Sequence, residues 1–236
     1  IRDIPGLDGL EDTGDALDIG ARVTLAQALT SELAAQRVPV LVDAIHRMAN
    51  VNVRNTATVV GNICNASPAA DTAGPLLALD AEVTVVGPGG ERRVPIGEWF
   101  TAPGSHCLGT EEIVTALHVP HQQGRARYER LANRRTADLA LAAVCIRLVQ
   151  GDDGVVTDAR VTLGAVAPTP RRSNAAEGAL VGSALDRAAI EAASEAAADE
   201  ASPIDDVRAS AWYRVEMVRN LARRGLEALA AEGGVA

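Results

Sequence analysis

Apolar and polar positions alternate early in the chain. In Leu17-Asp18-Ile19-Gly20-Ala21-Arg22-Val23 the side chains point to opposite faces at period two, which predicts a strand. Thr24 stands before an apolar, periodic run and predicts the N-cap of a helix over 25–36. Val40, Leu41, Ala44, Ile45 and Met48 recur at helical spacing and predict a second helix over 40–48. Residues 51–70 are rich in Asn, Thr, Ala and Gly and show no helical period. They predict irregular chain of the kind that lets a backbone approach something closely. A short helix over 73–79 follows. Then comes a hairpin with strands at 82–86 and 91–95, joined by the turn Gly87-Pro88-Gly89-Gly90. A further strand is predicted over 113–119.

Gln122-Gln123-Gly124 is the best candidate for a boundary, dividing a first domain, 1–123, from a second, 124–236. Beyond it three strand-like runs cover 126–132, 139–149 and 155–166, with Gly151-Asp152-Asp153-Gly154 turning between the last two. Three helices are predicted next: 174–181, 185–199 capped by Ser183 or Asp186, and 206–231. The last keeps Trp212, Val215, Met217, Val218, Leu221, Leu226 and Leu229 as its apolar positions. Strands followed by helices make the predicted fold class α+β.

Composition narrows the chemistry. The chain has 236 residues and a net charge of −9, and each of its 22 basic residues is an arginine. Without lysine there is no phosphate-loop lysine and no Schiff base. An acidic chain with 2% aromatic residues lacks the basic face and stacking platforms of a nucleic-acid binder. The longest uncharged stretch, 55–70, is too short and too polar to span a bilayer. No basic-then-apolar leader opens the chain, and the missing initiator Met suggests that further sequence precedes Ile1. Cys64, Cys107 and Cys145 are too far apart for a zinc or iron–sulfur motif. They are expected to be reduced thiols of a cytoplasmic protein. The four histidines form no metal-protease motif, and His118 and His121 flank Pro120 at a strand end.

The segment at 52–80 is more specific. Arg54-Asn55 is followed by Thr58-Val59-Val60-Gly61-Asn62, then by Ala66-Ser67-Pro68, then by Asp71. In order and spacing this resembles the flavin-binding subunit of the molybdenum hydroxylases, the xanthine dehydrogenase and carbon monoxide dehydrogenase family. Five more stretches resemble that family in the same order: 17–25, 109–120, 134–147, 164–170 and the helix-like Asp206 to Arg214 run. The resemblance implies a vanillyl-alcohol-oxidase-type FAD-binding lobe, a mixed sheet flanked by helices, followed by a C-terminal three-stranded sheet with helices.

The resemblance also implies FAD as cofactor and a site made of Met48, Thr58, Val59, Val60, Gly61, Asn62, Asp71, Val114 and Arg130. The turn 58–62 would offer backbone N–H groups to the pyrophosphate. Asp71 would accept from a ribityl hydroxyl or a flavin N–H. Met48 and Val114 would make apolar contacts, and Arg130 stands where the family commonly has a cofactor-contacting Lys. Met48 and Val114 also read as ordinary core, Arg130 as a solvated charge and 58–71 as a simple loop. No catalytic acid, base or nucleophile is expected, because the redox chemistry is the cofactor's.

The implied partners are a small subunit with two 2Fe–2S clusters and a large molybdenum-cofactor subunit, as a dimer of heterotrimers with no nucleic acid. In this arrangement electrons pass from the iron–sulfur clusters through FAD to an external acceptor. Two features depart from the family. Val60 stands where a glycine is expected. The resemblance also begins near Ile1, after the family's front segment with its own glycine-rich loop. The chain by itself is therefore expected to bind FAD weakly. A flavin-free structural or assembly subunit of the same kind of complex is the alternative. A free-standing covalent-flavin oxidase ranks below both, because no His-containing attachment motif lies near the turn.

Overall fold

The computed structural model describes residues 3–134 and 137–233. The chain starts with two strands, β1 (Leu10–Asp12) and β2 (Ala16–Gly20). Six helices follow: α1 (Leu25–Thr30), α2 (Glu32–Arg37), α3 (Pro39–Arg47), α4 (Val51–Arg54), α5 (Val59–Cys64) and α6 (Ala73–Ala78). The hairpin of β3 (Glu82–Gly87) and β4 (Gly90–Pro95) leads through α7 (Ile96–Trp99) to the small pair β5 (Phe100–Ala102) and β6 (Ser105–His106), and then to β7 (Ile113–Pro120). The strand order is β1-β2-β7-β3-β4. Every pairing in it is antiparallel, so the sheet is not the mixed one expected.

The second half holds β8 (Arg125–Leu131), β9 (Ala142–Gln150), β10 (Val156–Gly164) and β11 (Arg171–Arg172), then α8 (Asn174–Leu180), α9 (Arg187–Asp199) and α10 (Ala211–Gly233). Its sheet runs β11-β10-β9-β8. The expected three strands are present, and the two-residue β11 adds a fourth edge. Strand β9 is buried on both faces from Ala142 to Leu148, so apolar residues fill successive positions there, interrupted only by Arg147. Val144, Ile146 and Leu148 face a core shared with α9 and α10, while Ala143 and Cys145 join the core of the first half. Tyr128 joins that first core too, so the two halves share apolar packing.

Local sequence explains most of the differences from expectation. The helix predicted over 25–36 is two helices, because Ser31 takes an extended backbone (φ −77°, ψ 121°) and caps α2 through Ala34 N–H. Thr24 caps α1 as predicted, in a capping box with Gln27. Residues 51–70 hold two helices that were not expected, α4 and α5, capped by Asn50 and Thr58. Asp186, not Ser183, caps α9. The last helix begins at Ala211 rather than at 206, because Asp205 and Asp206 accept backbone N–H groups from Ala211, Arg208 and Ala209 instead of continuing it. Gly124 sits between the sheets at φ 94°, where a Cβ would lie 2.1 Å from the Leu148 carbonyl oxygen, so only glycine fits.

Candidate functional site

A cleft of about 470 Å³ opens where α3, α4, α5, the 66–71 loop, Arg134 and residues 137–139 converge. It brings together three of the residues named from sequence, Met48, Asn62 and Asp71. Met48 is the C-cap of α3, and its buried side chain forms an apolar wall. The next residue, Ala49, lies in the left-handed region at φ 53°, and Arg54 Nη1 fastens this turn by donating to the carbonyls of Met48 (2.8 Å) and Ala49 (3.2 Å). On the opposite wall Ala137 is also left-handed, at φ 54°. Non-glycine residues in this region are costly and collect at functional clefts.

Asp71 is the best-buttressed of the three. Its carboxylate Oδ1 accepts from Tyr128 Oη at 2.7 Å and from Arg130 Nε at 2.6 Å. Both ionic side chains are only 6% exposed, so the pair is buried. Arg130 also donates through Nη2 to the carbonyl of Asp138, tying the two walls of the cleft together. Among the described residues no donor is placed on Asp71 Oδ2, which leaves that oxygen for a donor in the cleft. Burial and the neighbouring Asp71 carboxylate hold the Tyr128 phenol well above its ordinary range, so it stays a neutral donor.

The 58–62 turn proves to be the start of α5. Thr58 Oγ1 accepts from Gly61 N–H at 2.8 Å, while Val59 N–H goes to the Val23 carbonyl and Asn62 N–H to that of Thr58. Of the four N–H groups from Val59 to Asn62, only that of Val60 has no partner among the described residues. Val59 and Val60 are buried in the core. Val60 has ordinary helical backbone, so a valine is under no strain there. Asn62 Oδ1 accepts from Thr72 Oγ1 at 2.6 Å, which fixes the amide at the cleft wall. Val114 lies in β7 opposite Val85, buried in the core and away from the cleft lining.

Sequence reasoning missed Asn50, Asn65, Arg134, Asp138 and Leu139, all of which line the cleft. The Arg134-to-Arg147 segment belongs to the resemblance, so the signal was present. The stretch bears no local period that would single out individual residues. Asp138 accepts from Arg134 N–H (2.9 Å) and Leu139 N–H (3.0 Å). The lining is chemically mixed: apolar at Met48, Val53 and Leu139, amide at Asn50, Asn62 and Asn65, and charged at Asp71, Asp138 and Arg134. That suits a ligand with an apolar body and a polar edge. The described residues hold no cluster of His, Cys, Asp and Glu able to bind a metal ion, and no helix among them is long and apolar enough to cross a membrane.

Comparison with known proteins gives the family. The family model for the FAD binding domain in molybdopterin dehydrogenase matches residues 1–122, and that for the CO dehydrogenase flavoprotein C-terminal domain matches residues 127–229. The xanthine dehydrogenase FAD-binding subunit of Escherichia coli O157:H7 is 33% identical over 224 residues, covering 93% of this chain and 76% of that protein. The carbon monoxide dehydrogenase medium chain of Hydrogenophaga pseudoflava is 31% identical, covering 97% of this chain and 79% of that one. The solved CO dehydrogenase from Oligotropha carboxidovorans superposes with a TM-score of 0.93 at 30% identity, over 98% of this chain and 81% of that one. The chain therefore belongs to the FAD-binding medium subunits of the molybdenum hydroxylases.

Proposed function

We propose that this chain holds the FAD through which electrons leave a molybdenum hydroxylase, received from a partner subunit's iron–sulfur clusters and given to an external acceptor. The observation that carries the reading is the convergence of Met48, Asn62 and Asp71 on one cleft of mixed lining. FAD, when bound, supplies the exchange of electrons between one-electron donors and a two-electron acceptor. The chain's own residues bind and orient. Met48 and Leu139 give the apolar walls, Asn62 offers its amide from a position locked by Thr72, and Asp71 presents an acceptor oxygen held in place by Tyr128 and Arg130. Arg130 thus acts through Asp71 and is a positioning residue. The division into 1–123 and 124–236 belongs to this reading, with Asp71 and Met48 supplied by the first part and Arg130 and Asp138 by the second. So does assembly with iron–sulfur and molybdenum subunits as a dimer of heterotrimers in the cytoplasm.

A flavin-free structural subunit is the alternative. Val60 is one of the sequence features that favour it, and the unstrained helical backbone of Val60 takes that one objection away. Purification of the native complex, followed by acid release and quantification of flavin, tests the reading. About one FAD per copy of this chain is expected, with occupancy falling when Asp71 is replaced. An intact, hydroxylation-competent complex with no flavin overturns it.

A further inference from the structure

Thr72 precedes α6 at the position from which a threonine ordinarily caps a helix. It makes no cap bond. Its own backbone is helical (φ −80°, ψ −19°), and its hydroxyl serves none of the N–H groups at the start of α6. The hydroxyl goes instead to α5, where Oγ1 donates to Asn62 Oδ1 at 2.6 Å, ten residues away in the chain. Thr72 is fully buried, so this bond is made out of reach of competing water. A residue that forgoes the local bond its type favours marks a place where something besides local stability is served.

The geometry also fixes which end of the amide faces Thr72. The Thr72 backbone nitrogen lies 3.4 Å from the same Oδ1, and a backbone N–H can only donate, so that end is the oxygen. Asn62 Nδ2 is the other end, and it has no acceptor among the described residues. Asn62 lines the cleft, whereas Thr72 stands behind the lining. The cleft therefore meets Asn62 as an N–H donor. Asn50, in the same lining, is pinned in the same sense by a local device, its Oδ1 accepting from Val53 N–H at 2.9 Å as the N-cap of α4. Asn62 lies inside α5 and has no helix start to cap, so its orientation depends on Thr72. Asp71, the neighbour of Thr72, presents the opposite polarity, an accepting carboxylate held by Tyr128 and Arg130.

We infer that Thr72 is a positioning residue of the cleft: its hydroxyl holds the Asn62 amide with Nδ2 toward the ligand, and the ligand atom that meets it is an acceptor. This rests on the flavin reading of the cleft. Without the lock the Asn62 amide is free to turn over. In the turned form its carbonyl faces the ligand's acceptor, and two acceptors meet with no proton between them. Holding the donor in place before the ligand arrives removes that wrong arrangement and the entropic cost of choosing the right one. Consecutive residues thus set the two polarities of the cleft, Asp71 directly and Thr72 through Asn62.

The test uses the complex co-expressed with its own partner subunits, stripped of flavin and titrated with FAD by fluorescence. Thr72→Val keeps the size and the backbone N–H and deletes the hydroxyl. It is expected to weaken FAD binding about threefold to tenfold, the range of one neutral hydrogen bond. Thr72→Ser, which keeps the hydroxyl, should bind as the wild type does. In an Asn62→Ala background Thr72→Val should weaken binding no further, since no amide remains to be oriented. A full additional loss in that background overturns the inference, and so does a loss in Thr72→Ser equal to that in Thr72→Val. Asn62→Asp puts a carboxylate oxygen against an accepting ligand atom and should bind worse than Asn62→Ala. Tighter binding by Asn62→Asp means that the ligand donates there, which also overturns the inference. The Asn62 pair decides the direction even where Thr72→Val folds poorly. A wild-type complex that takes up no FAD overturns the flavin reading and this inference with it. Wild-type binding left unchanged by Thr72→Val overturns the inference alone.

Discussion

At the scale of single residues, the key side chain is Asp71. Its place in the motif was legible because Ala66-Ser67-Pro68 and Asp71 are local. Its partners were not, because Tyr128 and Arg130 lie 57 and 59 residues away and meet it only once β8 packs against the first core. Asp71→Ala removes two bonds and leaves the buried Arg130 without its counter-charge, at a cost of about 3–5 kcal/mol in stability. Flavin affinity should fall by about tenfold to a hundredfold, the worth of one charge-assisted bond. Asp71→Asn should lose less of both. Denaturant unfolding and flavin titration measure the two effects separately; a variant with unchanged flavin affinity would remove Asp71 from the ligand's contacts and leave it a tether.

Tyr128 gives a prediction in pH. Its folded-state pKa is raised above the ordinary value of 10.0, chiefly by burial and then by the Asp71 charge. Above pH 10 the unfolded chain loses the phenolic proton while the folded chain keeps it, so the unfolded state binds fewer protons. Stability is therefore fully present below about pH 10 and declines as pH rises further. Tyr128→Phe should cost about 0.5–1.5 kcal/mol near neutrality through the lost hydrogen bond and flatten the decline above pH 10. Urea unfolding across that range checks both; an unchanged alkaline slope would assign the decline to other groups.

At the scale of elements, sequence was a good guide wherever a period had room to show itself. The hairpin of β3 and β4, with Val83 opposite Val94, and the strands β7, β8, β9 and β10 all stand close to the predicted ranges. Helices of four and six residues, α4 and α5, complete one turn or little more, so their apolar positions could not establish a period. Their caps were the only local signal, and for α5 the Thr58 cap is now also the reason that Gly61 is small. A Cβ there would approach Thr58 Oγ1 to 2.9 Å, so Gly61→Ala presses on the capping bond. Thr58→Ala, which deletes that bond, should cost about 1 kcal/mol. Val60→Gly, although it restores the expected family residue, should destabilise by about 2–4 kcal/mol, from lost core burial and a glycine inside a helix. Equilibrium unfolding of the two variants tests the ranking. A stabilised Val60→Gly protein would mean that the valine is strained after all.

Across the whole molecule, the two halves are joined by ions as well as by apolar packing, and this joint was invisible in the sequence because its members are far apart. Arg147 on β9 is 3% exposed. It donates to the Ala78 carbonyl at 2.8 Å, to Asp158 at 2.8 Å, and at longer range to Asp80 and to the Gln123 carbonyl in the connection between the sheets. Arg160 and Arg172 also reach Asp80, so one carboxylate at the end of α6 gathers three arginines of the second sheet. Asp80 holds a left-handed backbone at φ 52° to do so. Arg147→Ala empties a buried position and leaves the Ala78 carbonyl unpaired, which should cost about 3–5 kcal/mol. In a chain of this size that is a fall of roughly 6–20 °C in melting temperature. Asp80→Asn should cost less, since Asp80 is partly exposed and its arginines keep other acceptors, and its effect should shrink in high salt. The form of the melt is equally informative. Helix α6 packs against the second sheet, with Gly74 accepting from Thr162 Oγ1 through its carbonyl at 3.1 Å, and Tyr128, Ala143 and Cys145 belong to the first core. Apolar continuity therefore survives loss of the ions, and Arg147→Ala should melt in one cooperative transition, shifted downward, in calorimetry. Two resolved transitions would show that the arginine cluster, and not the shared core, makes the halves fold as one.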